Sequence, residues 1–202
     1  MRKYGNWDKV KAAAEFEQLP PGGYVCRIMG AEVKEYERKD HSGSFEKLRI
    51  SLDIAEGRYK DFYANDYRAQ NTEDKRWRGV LELYLPDENG ANAEQEERTA
   101  SYLKAAIEAI EESNSGYRWD WDERKLKGKI VGCLFRSKEW EYEGRGGWRT
   151  EALRFIEADR IRQGKFKVPA AKPLKKTSDS VHTAPMTTPE NVEIIADDDL
   201  PF

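Results

Sequence analysis

The sequence predicts a mainly β fold with helices, and three observations carry that prediction. Leu48, Ile50, Leu52 and Ile54 alternate with Arg49, Ser51 and Asp53, the period-2 pattern of a strand buried on one face. Lys129–Tyr142 and Trp148–Ile156 are two further strand-like runs, joined across Gly144-Arg145-Gly146-Gly147 as a hairpin. Between these groups, Glu94–Glu112 places Leu103, Ala106, Ile107 and Ile110 at helical spacing, and Asn114 and Gly116 supply stop signals. With two more strands upstream, the order becomes three strands, a helix, two strands. That is the order of the five-stranded OB barrel, with its helix between strands 3 and 4.

The elements follow along the chain. Residues 7–18 suit a short amphipathic helix, with Asn6 as N-cap and Trp7, Val10, Ala14 and Phe16 apolar; Pro20-Pro21-Gly22-Gly23 stops it. Tyr24–Val33 reads as the first strand, with Cys26 and Ile28 alternating, followed by a charged loop containing His41-Ser42-Gly43. The Leu48–Ile54 stripe is the second. Gly57 allows a turn into a third, aromatic strand over Tyr59–Tyr67. A long connection then carries Arg76-Trp77-Arg78 and the apolar run Val80–Leu85, closed by Pro86.

Composition divides the 202 residues in two. Five of the eight prolines fall in residues 168–202, which hold one aromatic residue, Phe202, while all six tryptophans precede them. So few large apolar groups cannot offset the entropy of ordering, and the segment reads as a disordered linker. Residues 1–167 form the domain, with 1–21 as a helical extension. The formal charge of −3 belongs entirely to the tail, because residues 1–167 hold 32 basic and 32 acidic groups. A neutral body leaves room for a segregated basic groove.

No apolar run approaches the ~18–20 residues of a spanning helix, and no apolar segment follows the basic Met1-Arg2-Lys3, so neither a membrane span nor a secretory signal is expected. Cys26 and Cys133 read as buried thiols of a cytoplasmic protein rather than a disulfide framework.

The fourth strand points to a ligand. Arg136, Lys138, Trp140 and Tyr142 share one face, and the opposite parity sends Val131, Cys133 and Phe135 to the core. A basic-aromatic stripe suits single-stranded nucleic acid: cations neutralise phosphates, and rings stack on bases that lack a duplex partner. Arg145, Trp148 and Arg149 lie in or beside the adjoining hairpin loop. Arg49, Phe62, Tyr63 and Tyr67 fall on the second and third strands, the usual OB binding surface. Arg76-Trp77-Arg78 repeats the same chemistry in the long connection, with Arg76 and Trp77 as the expected contacts. Aromatic residues of a small barrel also pack its core, and the two parities of Tyr59, Phe62, Tyr63 and Tyr67 send about half of them inward.

Other chemistry finds little support. Asp120, Asp122 and Glu123 are close carboxylates that a metal-dependent nuclease could use, yet Trp119-Asp120-Trp121-Asp122-Glu123 reads better as two packed tryptophans with solvated acids. His41 and His182 have no ligand set at zinc spacing, no phosphate-binding Gly-x-x-x-x-Gly-Lys loop is present, and no nucleophile or acid–base pair stands out. No catalytic residue, metal or cofactor is expected. The last six residues form a portable ligand instead. Phe202 can fill a small pocket while its carboxylate meets a cation at the rim, and Asp197, Asp198 and Asp199 attract a basic surround; Leu200 and Pro201 complete the tip.

Asp197-Asp198-Asp199-Leu200-Pro201-Phe202 resembles the C-terminal tip of bacterial single-stranded-DNA-binding proteins, which recruits replication, recombination and repair enzymes. The body resembles a different family, encoded in phages and prophages of Gram-positive bacteria. The matching segments are Leu19-Pro20-Pro21-Gly22-Gly23-Tyr24, Trp77-Arg78-Gly79-Val80 and Tyr117-Arg118-Trp119-Asp120-Trp121-Asp122, with Leu126-Lys127-Gly128-Lys129 and Ile161-Arg162-Gln163-Gly164-Lys165-Phe166. The resemblance implies an OB-fold protein that coats single-stranded DNA in phage or prophage replication and recombination, in the cytoplasm of the bacterial host. Stacking plus phosphate contacts is the mechanism of that class. The expectation is therefore a non-enzymatic DNA binder with a protein-recruiting tail. Its alternatives are an OB-fold protein-interaction adaptor and, less favoured, the nuclease. Oligomeric state stays open.

Overall fold

In the computed structural model, which describes Gly5, residues 18–38, His41 and residues 43–87 and 92–174, five antiparallel strands form one sheet. They are β1 (Gly22–Glu37), β2 (Ser44–Ile54), β3 (Val80–Tyr84), β4 (Ile130–Tyr142) and β5 (Arg145–Ile156). The described helices are α1 (Phe62–Ala69), α2 (Ala93–Ser113) and α3 (Ala158–Arg162), with a 3-10 turn at Glu123–Leu126. The sheet order is β3-β2-β1-β4-β5, so β1 is central and β3 and β5 are the edges. The expected helix over residues 7–18, apart from Gln18, and the tail beyond Leu174, tip included, lie outside the described residues.

The period-2 stripe of β2 organises the core. Leu48, Ile50, Leu52 and Ile54 are all buried, as are Cys26 and Ile28 of β1 and Val131, Cys133 and Phe135 of β4. Each fully buried large apolar side chain contributes about 1.5–3 kcal/mol. Leu103, Ala106, Ile107 and Ile110 bring one face of α2 onto the same core. Asn92 begins α2 by accepting from the Gln95 N–H at 3.2 Å. Asn114 ends it and also fixes β4, since its amide donates to the Ile110 and Ile130 carbonyls and its oxygen accepts from the Ile130 N–H. The two thiols are free and buried, and burial pushes the Cys133 thiol up.

Three expectations are corrected. The third strand is Val80–Tyr84, not Tyr59–Tyr67, which forms a turn and helix α1. The cause is Asp53, whose buried carboxylate accepts N–H groups from Tyr63 (2.9 Å) and Ala64 (3.3 Å) at the first turn of α1. The helix borrows its cap from a neighbouring strand, and aromatic composition alone reads as strand. Asp53 is therefore not on a solvated face: α1 covers it there.

The hairpins also differ. Glu143 and Gly144 alone turn β4 into β5, both with positive φ, so Arg145–Gly147 belong to β5. At the other hairpin, β1 and β2 run on to Glu37 and Ser44, held by the cross-strand pair Tyr36↔Phe45, with rings stacked 5.7 Å apart. Finally, Trp119 packs half-buried against the core, whereas Trp121 is 79% exposed at φ 66°. The two rings lie 6.1 Å apart, but only one of them is packed.

Candidate nucleic-acid interface

A groove of about 1150 Å³ runs between the two edges of the sheet. It exceeds the roughly 300–1,000 Å³ of small-molecule sites and suits an extended ligand. Lys47 and Arg49 of β2 and Val80, Glu82 and Tyr84 of β3 form one wall. Arg136, Lys138 and Trp140 of β4 and Trp148 and Arg149 of β5 form the other. Phe62, Tyr63 and Asp66 of α1 and the Arg76-Trp77-Arg78 segment line the groove between these walls.

Ten of the thirteen residues nominated as DNA contacts thus line one groove: Arg49, Phe62, Tyr63, Arg76, Trp77, Arg136, Lys138, Trp140, Trp148 and Arg149. Tyr67, Tyr142 and Arg145 do not line it. Tyr67 lies against the Trp77 ring at 5.8 Å, and Tyr142 and Arg145 pair at the tip of the β4–β5 hairpin. Arg78 of the Arg76-Trp77-Arg78 segment lines it too, as do Lys47, Tyr84 and Lys172, which were not expected as contacts. Signals for two of them were present, since Lys47 immediately precedes the Leu48–Ile54 stripe with the parity of Arg49, and Tyr84 lies in the apolar run Val80–Leu85. Lys172 gave no signal, because it lies in the Pro-containing stretch that composition assigns to the linker. Its N–H donates to the Ser137 carbonyl (2.8 Å) and its carbonyl accepts from the Glu139 N–H (2.9 Å), which lays residues 172–174 along β4.

Local chemistry divides the aromatic residues. Tyr63 is 6% exposed, and burial pushes its phenol well above the ordinary tyrosine range. It stacks on Phe135 at 6.4 Å and meets Phe62 edge-on at 5.2 Å, so this pair belongs to the packing beneath the groove. Trp77 is half-buried, with its indole N–H donating to the Leu52 carbonyl at 2.8 Å. Trp140 and Trp148 differ: they are 36% and 46% exposed. Gly147 pairs with Trp140 across the hairpin, and the indole lies beside it at a distance where even a methyl group would make only ordinary van der Waals contact.

The charges are sorted as sharply. Eight cationic side chains line the groove against three carboxylates, Asp66, Glu82 and Glu151. Each carboxylate is already paired. Asp66 accepts from Arg78 at 3.0 Å, Glu82 from Lys47 at 3.2 Å, and Glu151 from Arg136 at 3.1 Å and Lys138 at 3.2 Å. Burial pulls the Lys47 ammonium down, but its bonds to Glu82 and Tyr84 outweigh this and leave it above the ordinary lysine value. The side chains of Arg49, Arg76 and Arg149 make no hydrogen bond or ion pair with the described residues. A body of zero net charge therefore concentrates a cationic excess in one place.

The carboxylates named for a nuclease serve neighbouring cations. Asp122 accepts from Arg124 at 2.9 Å and Asp120 from Lys125, and these bonds hold both carboxyls below the usual range. Among the described residues, no group of three His, Cys, Asp or Glu side chains is placed to hold a metal ion. No described helix is long and apolar enough to cross a membrane. The sequence matches no family model and no curated protein.

Proposed function

We propose that the groove binds single-stranded DNA without strong sequence preference, and that the chain coats such strands in replication or recombination. One observation carries this reading: a long groove with eight cations, only three carboxylates, all of them paired, and two exposed indoles. Arg49, Arg76 and Arg149 take phosphates first, and bases stack on Trp140 and Trp148. The sheet order supports an OB barrel, because β1 lies between β2 and β4 as in that fold, and the edges β3 and β5 approach within 8 Å between Cα atoms. The groove then lies over the seam where such a barrel closes. The tip Asp197–Phe202 recruits partner enzymes, and none of the chemistry requires a metal or cofactor.

Titration of the full chain with oligo-dT, followed by tryptophan fluorescence, tests the reading. Expected are quenching, nanomolar-to-micromolar affinity, and a log–log salt slope of about −3 to −4, since single strands give about −0.7 per neutralised phosphate. Removal of Asp197–Phe202 should leave that affinity intact or slightly improved. Salt-insensitive binding, or preference for duplex DNA, would refute it. The unpaired edges of β3 and β5 favour a second reading, an adaptor that adds a peptide strand at the seam. That reading requires that the same titration show no binding.

A further inference from the structure

After α3 the chain returns to the sheet. β1 leaves one edge of β4 at the Gly22↔Phe135 pair, while β5 covers the opposite edge as far as Tyr142↔Arg145. From Arg136 onward, β4 thus has an edge that none of the five strands covers. Lys172 takes it. Its N–H donates to the Ser137 carbonyl at 2.8 Å, its carbonyl accepts from the Glu139 N–H at 2.9 Å, and the pair Lys138↔Lys172 runs parallel. Two residues on, the Leu174 N–H donates to the Glu139 carboxylate at 3.0 Å.

This strap, residues 172–174, makes few bonds for the freedom it gives up. A hydrogen bond exchanged with water contributes little net, and each ordered residue costs backbone entropy of similar size. Apolar burial adds little, because Val168 and Leu174 are exposed. Pro169 and Pro173 reduce the cost by restricting the free chain. Charge works against docking. An in-register pair puts both side chains on one face, and Lys138 and Lys172 both line the groove. Two neighbouring ammonium groups repel, and Lys138 shares the Glu151 carboxylate with Arg136.

We infer that residues 172–174 are a DNA-responsive strap: a phosphate of the bound single strand bridges Lys138 and Lys172, locks the strap onto β4 and makes it part of the binding site. The inference rests on the groove reading above. The phosphate replaces repulsion between the two ammonium groups by two charge-assisted bonds. The strap therefore docks more firmly with DNA than without it. By linkage, a docked strap strengthens DNA binding by the same factor. Arg136 and Trp140 stand on either side of Lys138 along the groove face of β4, so the bridged phosphate lies next to a stacking surface. The DNA-binding unit then extends to Leu174, past the boundary at residue 167 that composition sets.

Hydrogen exchange reads the strap directly, because the Lys172 and Glu139 amides are bonded across this junction. Exchange of the full chain is followed at both amides with and without saturating oligo-dT, in wild type and in Lys172→Ala, which keeps the backbone bonds. Wild-type exchange at both should slow at least about 10-fold with DNA. In Lys172→Ala most of that slowing should vanish and oligo-dT affinity should fall about 5-fold. Its salt slope should flatten by about 0.7, one phosphate's share, and its melting temperature should not fall. Unchanged exchange at the two amides of a saturated wild-type complex would overturn the inference, as would wild-type affinity and salt slope in Lys172→Ala. If the unaltered chain bound no oligo-dT, the groove reading itself would fail.

Discussion

Replacing Arg49, Arg76 and Arg149 together by alanine should weaken oligo-dT binding by about 10²-fold and leave thermal unfolding nearly unchanged. The three line the groove, yet their side chains make no hydrogen bond or ion pair among the described residues. Their removal thus deletes charge without orphaning a partner. At about 1 kcal/mol each, below the range for charge-assisted hydrogen bonds, the losses compound to about 10²-fold. The salt slope should flatten by about 2, because each lost phosphate contact removes about 0.7. Removing Arg136 would be less clean, because it leaves Glu151 bonded to Lys138 alone of its two cations. The measurement is paired: affinity at several salt concentrations and a melting curve. A triple variant that binds normally would place the DNA elsewhere.

Asp53→Ala should produce the opposite pattern, a large loss of stability with no direct loss of a contact surface. The buried carboxylate accepts N–H groups from Ile54 and Tyr63, both at 2.9 Å, and from Ala64 at 3.3 Å. Deleting it leaves these donors without a partner in the interior and removes the carboxylate that caps α1, whose own N-cap residue, Asp61, makes no side-chain cap bond. The expected cost is about 2–4 kcal/mol, or a melting temperature lower by roughly 5–10 °C for a domain of this size. Burial raises the Asp53 carboxyl above its ordinary value, although the three N–H bonds oppose the shift. A group raised in the folded state stabilises fully below the unfolded pKa of about 3.9 and loses that contribution as pH rises through the folded value. Stability of the wild type relative to Asp53→Asn should therefore increase as pH falls from neutral towards about 4. A flat difference would show that the carboxyl is not buried as described.

Legibility in the sequence followed periodicity and failed where one element serves another. The Leu48–Ile54 stripe and the Leu103–Ile110 face declared themselves, because burial on one side forces a period of 2 or 3.6. The β4 stripe likewise puts Arg136, Lys138, Trp140 and Tyr142 on one face of the strand, and the first three of these line the groove. The assignment of Tyr59–Tyr67 failed because its deciding residue, Asp53, is 10 positions away from Tyr63. Tyr63 was legible as aromatic but not as core, since only the fold sets the depth of a ring beneath a groove. Whole-chain charge misled most: −3 summed over 202 residues conceals a neutral body, and neutrality in turn conceals the cationic groove.

The central claim is that a single strand lies in the groove between β3 and β5. Photo-cross-linking of the full chain to an oligo-dT containing 5-iododeoxyuridine, with the modified residues mapped by mass spectrometry, tests it most directly. The account predicts adducts at Trp140 and Trp148, with Tyr84 next. Adducts confined to Trp119 and Trp121, or none on a saturated complex, would contradict it.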